Sequence, residues 1–242
     1  MTEAPQRIAL VTGASRGIGR AVALGLAREG CRVICVARSQ KALETLDDEI
    51  RKGGSGEATL VPLDLRDYDS VDKLGAALYE RYGKLDALAA CAGALGQLTP
   101  VHQATPALIE ETIGVNYIAN DRLIRSMHPL LRASDAGRAA FVSSGAARAP
   151  KAYWGPYAAS KAALETLVAC YAQEVAITPI RANLYNPGPT ATAMRRRAFP
   201  GEDQATLPSP DDVAPQLIAL LQPGCALNGE LVSYVRADTR PS

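Results

Sequence analysis

Short apolar runs alternate along the chain with longer stretches in which apolar side chains recur at helical spacing. Unbroken apolar runs belong to strands covered on both faces, and their alternation with helices marks a parallel sheet. The pattern predicts strands over 7–11, 31–36, 58–63, 85–91, 139–142, 180–185 and 230–235. Helices are expected over 17–29, 40–52, 68–82, 106–116, 120–132, 156–176 and 211–222. Gly30 follows the first helix, where a C-terminal glycine is common, and 53–56 reads as a turn. Right-handed crossovers would close these units into one doubly wound α/β sheet of Rossmann type. No internal repeat or long linker divides 1–242, so a single domain is expected.

Composition narrows the class of partner. A chain of 242 residues, 48% of them hydrophobic, can bury a sizeable core. A net charge of +1 offers no bulk attraction to a polyanion, so nucleic acid is not an expected partner. No apolar run approaches the ~20 residues of a membrane span. Met1 to Arg7 lack the apolar stretch of a signal peptide, and the expected location is cytoplasmic. Cys31, Cys35, Cys91, Cys170 and Cys225 form no CxxC pair, and His102 and His128 lie in unrelated segments. No metal site is expected, and the thiols read as small hydrophobes.

The segment after the first strand, Thr12-Gly13-Ala14-Ser15-Arg16-Gly17-Ile18-Gly19, is G-x-x-x-G-x-G. Small residues let backbone amides approach a pyrophosphate, and the following helix start presents unpaired N–H groups. Gly13, Ser15, Arg16, Gly17, Ile18 and Gly19 are therefore candidate nucleotide contacts. At the end of the second strand, an acid would bind a ribose hydroxyl and an arginine a 2′-phosphate. Here the chain has Ala37-Arg38, with Arg16 as a second guanidinium close by. NADP(H) is the favoured cofactor, with NAD(H) as the alternative.

Tyr157 and Lys161 are four residues apart in an expected helix and so share a face. A free phenol, with a pKa of about 10, is a poor acid–base catalyst at neutral pH, and a nearby cation favours its ionised form. Lys161 is placed to be that cation, and Ser144 to hold a substrate oxygen.

These motifs, in this order, resemble the short-chain dehydrogenase/reductase family from about residue 7 to 192. Thr12 to Gly19 is similar to its TGxxxGxG cofactor turn, and Pro187-Gly188 with Thr192 to its PGxxxT segment beside the nicotinamide. The resemblance implies that Asp64, followed by Leu65, contacts the adenine. It also implies that Asn116 joins the catalytic group through a water. Ser144, Tyr157 and Lys161 match the catalytic serine, tyrosine and lysine. Ala92, Gly93 and Thr190 fall in segments that border the cofactor. The implied reaction interconverts a carbonyl and an alcohol, with Tyr157 as general acid and Ser144 polarising the oxygen. Lys161 would lower the tyrosine pKa and bind the nicotinamide ribose. A homo-oligomer, dimer or tetramer, is implied by the same resemblance.

The chain departs from the family where NNAG becomes Ala90-Cys91-Ala92-Gly93, and where the tail runs Val235-Arg236-Ala237-Asp238 instead of ending in DGG. The first departure keeps open a competing reading: a nucleotide-binding regulatory or scaffold protein on the same fold. Residues 193–209 lie where the family carries its substrate lid and show little periodicity. They include Arg195, Arg196 and Arg197, which read either as an anion-attracting surface or as a solvated loop. Tyr153 and Trp154 read as pocket lining or as packing at a helix start.

Overall fold

A computed structural model describes residues 6–54 and 56–236. Met1–Pro5 and Ser55 in the glycine-rich turn lie outside them, as do the tail positions Ala237 and Asp238. The order along the chain is β1 (Ile8–Thr12), α1 (Gly17–Arg28), β2 (Arg32–Ala37), α2 (Gln40–Gly53), β3 (Glu57–Pro62), α3 (Tyr68–Tyr82) and β4 (Ala87–Ala90). Then come α4 (Pro106–Ile113), α5 (Ala119–Arg132), β5 (Arg138–Val142), α6 (Gly155–Glu174) and β6 (Arg181–Asn186). The chain closes with α7 (Ala193–Ala198), α8 (Pro210–Leu220) and β7 (Leu231–Ser233). The strands form one parallel sheet in the order β3-β2-β1-β4-β5-β6-β7. The order reverses beside β1, the switch point at which doubly wound sheets open a crevice.

Successive strand side chains point to opposite faces, so β1 feeds two cores. Ile8 and Leu10 pack with α3, α5 and α6, whereas Ala9 and Val11 pack with α1, α2 and α8. Helices approach closely where side chains vanish. A Cβ on Gly75 of α3 would lie 2.1 Å from Ser126 Oγ of α5. At the lower edge of the sheet, Asp86 is buried but well partnered. Its carboxylate accepts from Ile8 N (2.9 Å), Ser134 Oγ (2.6 Å) and Lys84 Nζ (3.0 Å).

Four departures from the sequence reading have physical causes. The stretch read as two helices broken after residue 116 is one continuous rod. Between α4 and α5, Gly114–Ile118 winds as a π-turn in which Ala119 N donates five residues back to Gly114 O. The segment 193–209, expected to show little periodicity, contains α7, started by Thr192 accepting from Arg195 N (3.1 Å). β4 is shorter than expected, since Leu85 N is drawn to Leu130 O and Cys91 N turns back to Ala89 O. The edge strand β7 is likewise short, because Val235 pairs with the Gln216 side chain on α8.

Candidate active site

A cleft of about 680 Å³ opens along the upper edge of the sheet at the switch point. Nearly every residue predicted to serve the site lines it. At one end are Gly13, Ser15, Arg16, Gly17, Ile18 and Gly19, with Arg38, Asp64 and Leu65 beside them. Ala92 and Gly93 form the floor, and Pro187, Gly188, Thr190 and Thr192 the far wall. Ser144, Tyr157 and Lys161 stand over the middle. Asn116 is not among the lining residues; it is fully buried behind them.

The glycine turn has specific steric causes. Gly13 takes φ +66°, and a Cβ there would press on Ala92 Cα and N at 3.0 Å. A Cβ on Gly19 would meet Gly13 O at 2.4 Å. α1 then starts without a capping side chain and without an acid in its first turn. Its leading N–H groups stay free for an anion, as a pyrophosphate needs. Arg16 and Arg38 border this end, both exposed, with no carboxylate partner among the described residues. Asp64, whose carboxylate also feels Arg38 through space, is already taken by Arg66, whose side chain reaches Oδ2 at 3.1 Å and whose backbone N reaches Oδ1 at 3.0 Å. Partial burial works against ionisation of Asp64, but the Arg66 hydrogen bonds hold its carboxyl below the usual range. An adenine contact by Asp64 therefore competes with this pairing. The donor set, a helix start and two unpaired guanidiniums, fits a phosphorylated dinucleotide.

Ser143 and Ser144 separate cleanly. Ser143 Oγ donates to Glu165 Oε1 (2.6 Å), and Arg148 Nε donates to the other carboxylate oxygen (2.8 Å). Ser144 Oγ accepts from Ala146 N (3.2 Å) and also forms a hydrogen bond with the Tyr157 phenol. Asn116 reaches across from the π-turn. It accepts from Ala94 N (2.9 Å) and donates to Ala94 O and to Ser160 Oγ, each at 2.8 Å. Ser160 in turn donates to Tyr157 O (2.7 Å). Asn116 thus ties the loop after β4 directly to the helix of Tyr157, and it caps no helix. With Thr12 Oγ1, which accepts from Ala92 N (3.2 Å), it braces the loop from which the family's asparagines are missing.

Burial sets the charges here. It raises the pKa of the Tyr157 phenol, against a lowering hydrogen bond with Ser144. Burial lowers Lys161 to about 8, opposed by the Glu165 carboxylate. Lys161 Nζ donates to Val142 O (2.8 Å). Burial also pushes the Cys91 thiol up to about 12, so it is neutral at physiological pH. Gly93 leaves the space between these groups open: a Cβ there would lie 3.4 Å from Asn116 Oδ1 and 3.6 Å from Lys161 Nζ.

Trp154 lines the cleft and stands edge-on to Tyr157, with ring centroids 5.8 Å apart. Tyr153 does not line it; its side chain is exposed and its backbone is left-handed at φ 74°. The Phe199 ring lies 5.6 Å from Trp154. Sequence reasoning missed Glu165 and the Trp154–Phe199 contact. A helical Glu four residues after Lys161 was a usable signal for the first. Among the described residues no cluster of His, Cys, Asp and Glu could hold a metal, and no helix is long and apolar enough to cross a membrane.

Comparison with known proteins agrees with this geometry. The family profile described as short chain dehydrogenase matches residues 7–203. The chain is 38% identical over 217 residues to the uncharacterized oxidoreductase YciK of Escherichia coli, covering 89% of this chain and 86% of that one. It is 30% identical to an NADPH-dependent pterin aldehyde reductase of Arabidopsis thaliana, over 85% of this chain and 83% of the relative. Among solved structures, a short chain dehydrogenase from Escherichia coli CFT073 complexed with NADPH superposes with a TM-score of 0.88 at 36% identity. That match covers 94% of this chain and 95% of the other. The protein belongs to the short-chain dehydrogenase/reductase family of oxidoreductases.

Proposed function

We propose that the protein is an NADP(H)-dependent reductase that interconverts a small-molecule carbonyl and its alcohol. The observation that carries this reading is that Ser144, Tyr157 and Lys161 share one cleft with the open α1 start and two unpaired arginines. A nicotinamide dinucleotide bound there supplies the hydride. Arg16 and Arg38 grip the 2′-phosphate, and the α1 amides meet the pyrophosphate. Ser144 donates to the carbonyl oxygen and polarises it. Tyr157, kept protonated by burial, delivers its proton to the same oxygen as charge develops. Lys161 holds the ribose and refills the proton on Tyr157, and Asn116 fixes the floor and the helix against each other. Residues 193–209 act as the lid, and the chain assembles as a homo-oligomer.

The test is NADPH oxidation over a panel of ketones, aldehydes and 3-oxoacyl thioesters. Tyr157→Phe is expected to lose ~10²–10⁴-fold in kcat while still binding NADPH. A wild-type protein that binds NADPH and reduces nothing would instead favour the scaffold reading.

A further inference from the structure

The lid helix and the loop before α6 build a second face of the cleft that the hydride chemistry does not use. Trp154 and Phe199 form an aromatic wall reached directly from Tyr157. The wall is held from behind: the Arg195 guanidinium lies over the Phe199 ring at 3.8 Å, and Glu202 grips that guanidinium through both oxygens. Leu95 and Met194 continue the apolar lining.

The cations around this wall are not equivalent. Arg195 is neutralised by Glu202 and serves as backing. Arg196 does not line the cleft. Arg197 and Lys151 do, and both are exposed. Arg197 donates to Gly96 O (2.6 Å), which fixes its guanidinium at the mouth without cancelling its charge. Lys151 Nζ hangs 5.8 Å from the Phe199 centroid. Neither has a carboxylate partner among the described residues. The two acids that line the cleft, Asp64 and Glu111, both act on Arg66 at the other end. An aromatic wall next to the proton donor, with two uncompensated cations at its rim, is complementary to a flat apolar body with a negative end.

We propose that the substrate is a ketone or aldehyde on a planar ring that carries a carboxylate, the ring lying against Trp154 and Phe199 and the carboxylate between Lys151 and Arg197. The proposal rests on the reductase reading above and deepens it. The chemical step is unchanged: hydride from NADPH adds to the carbonyl carbon, a proton to its oxygen, and NADP⁺ and the alcohol leave.

Four probes separate the parts. 4-Acetylbenzoate has ring and acid, its methyl ester and acetophenone have the ring alone, and 5-oxohexanoate has the acid alone. We expect kcat/KM for 4-acetylbenzoate to exceed each of the others by about ten-fold, a few-fold for each exposed cation. The acid-over-ester ratio should fall toward one in the Lys151→Gln/Arg197→Gln double variant. In the wild type it should also shrink as salt rises from about 0.01 to 0.5 M, a readout that does not depend on how the variant folds. A ratio near one at low salt, or a preference for 5-oxohexanoate, overturns the proposal while leaving a working reductase. Binding of NADPH with no turnover of any carbonyl overturns the reductase reading itself.

Discussion

Asp86 and Lys161 are both charged side chains pressed into the sheet, at its opposite edges. Asp86 is 6% exposed and Lys161 3%. Burial opposes the charge on each, but their partners differ. Asp86 recovers what it loses, since Ser134, the Ile8 amide and Lys84 hold its carboxyl below the ordinary range. Lys161 has the Val142 carbonyl as its acceptor and drops to about 8. A charge with a full set of partners behaves as a rivet, and one left short of partners is ready to give up a proton. The lower edge of the sheet is built for permanence and the upper edge for exchange.

The strongest attempt to break this contrast is Lys161→Met. We expect kcat/KM to fall by at least about 10²-fold while stability at pH 7 rises by of order 3 kcal/mol. The sign follows from the folded pKa lying below the unfolded 10.5. Between about 8 and 10.5 the unfolded chain holds a proton that the folded chain has released. Wild-type stability therefore climbs with pH across that window, and the variant should lose the climb. Urea melts at pH 7 and 10 check both statements.

Asp86→Ala should do the reverse. It leaves Ser134 and the Ile8 amide without their acceptor, at about 3 kcal/mol. Turnover per folded molecule at 25 °C should stay near wild type. Because its folded pKa is depressed, the stability Asp86 contributes is present above about pH 4 and is lost as pH falls through the folded value. An inactive but stable Asp86→Ala protein would dissolve the distinction.

The same logic applies to arginines. Arg66 is paired and Arg38 is not, so Arg38→Asp should move the NADPH-over-NADH preference by about ten-fold or more, measured as a ratio of kcat/KM values. A smaller effect sharpens the account of Lys161. kcat/KM for NADPH reports groups of the free enzyme and should decline as pH rises through about 8. Cys91→Ala should shift that limb by only a few tenths of a pH unit, because a thiol with a pKa of about 12 carries no charge there. A larger shift would reveal an ionised thiol.

Much of the fold and cleft was legible because it is written locally. The Thr12–Gly19 turn, the Tyr157/Lys161 spacing and the strand–helix alternation each sit within one short window, and each lies where expected. What stayed hidden depends on distant partners. The Asp86 hub joins residues 48 and 78 positions apart, and Ser143 meets Glu165 across 22. Nothing in one sequence reports such pairings. Spacing and the family resemblance both point to tyrosine–lysine assistance, whereas in the folded chain the ammonium is committed to a backbone carbonyl and burial governs the phenol. The π-turn escaped notice because it preserves helical composition and adds a single residue to one coil.

That extra residue has a consequence for how the chain tolerates change. Each residue advances a helix by roughly 100°, so Gly114–Ile118 resets the clocking of everything after it. One setting swings the Asn116 amide inward and aims Leu123, Met127 and Leu130 of α5 at the sheet. Deleting one position there would misdirect the amide and the greasy stripe in a single stroke, coupling catalytic alignment to core integrity through backbone winding alone.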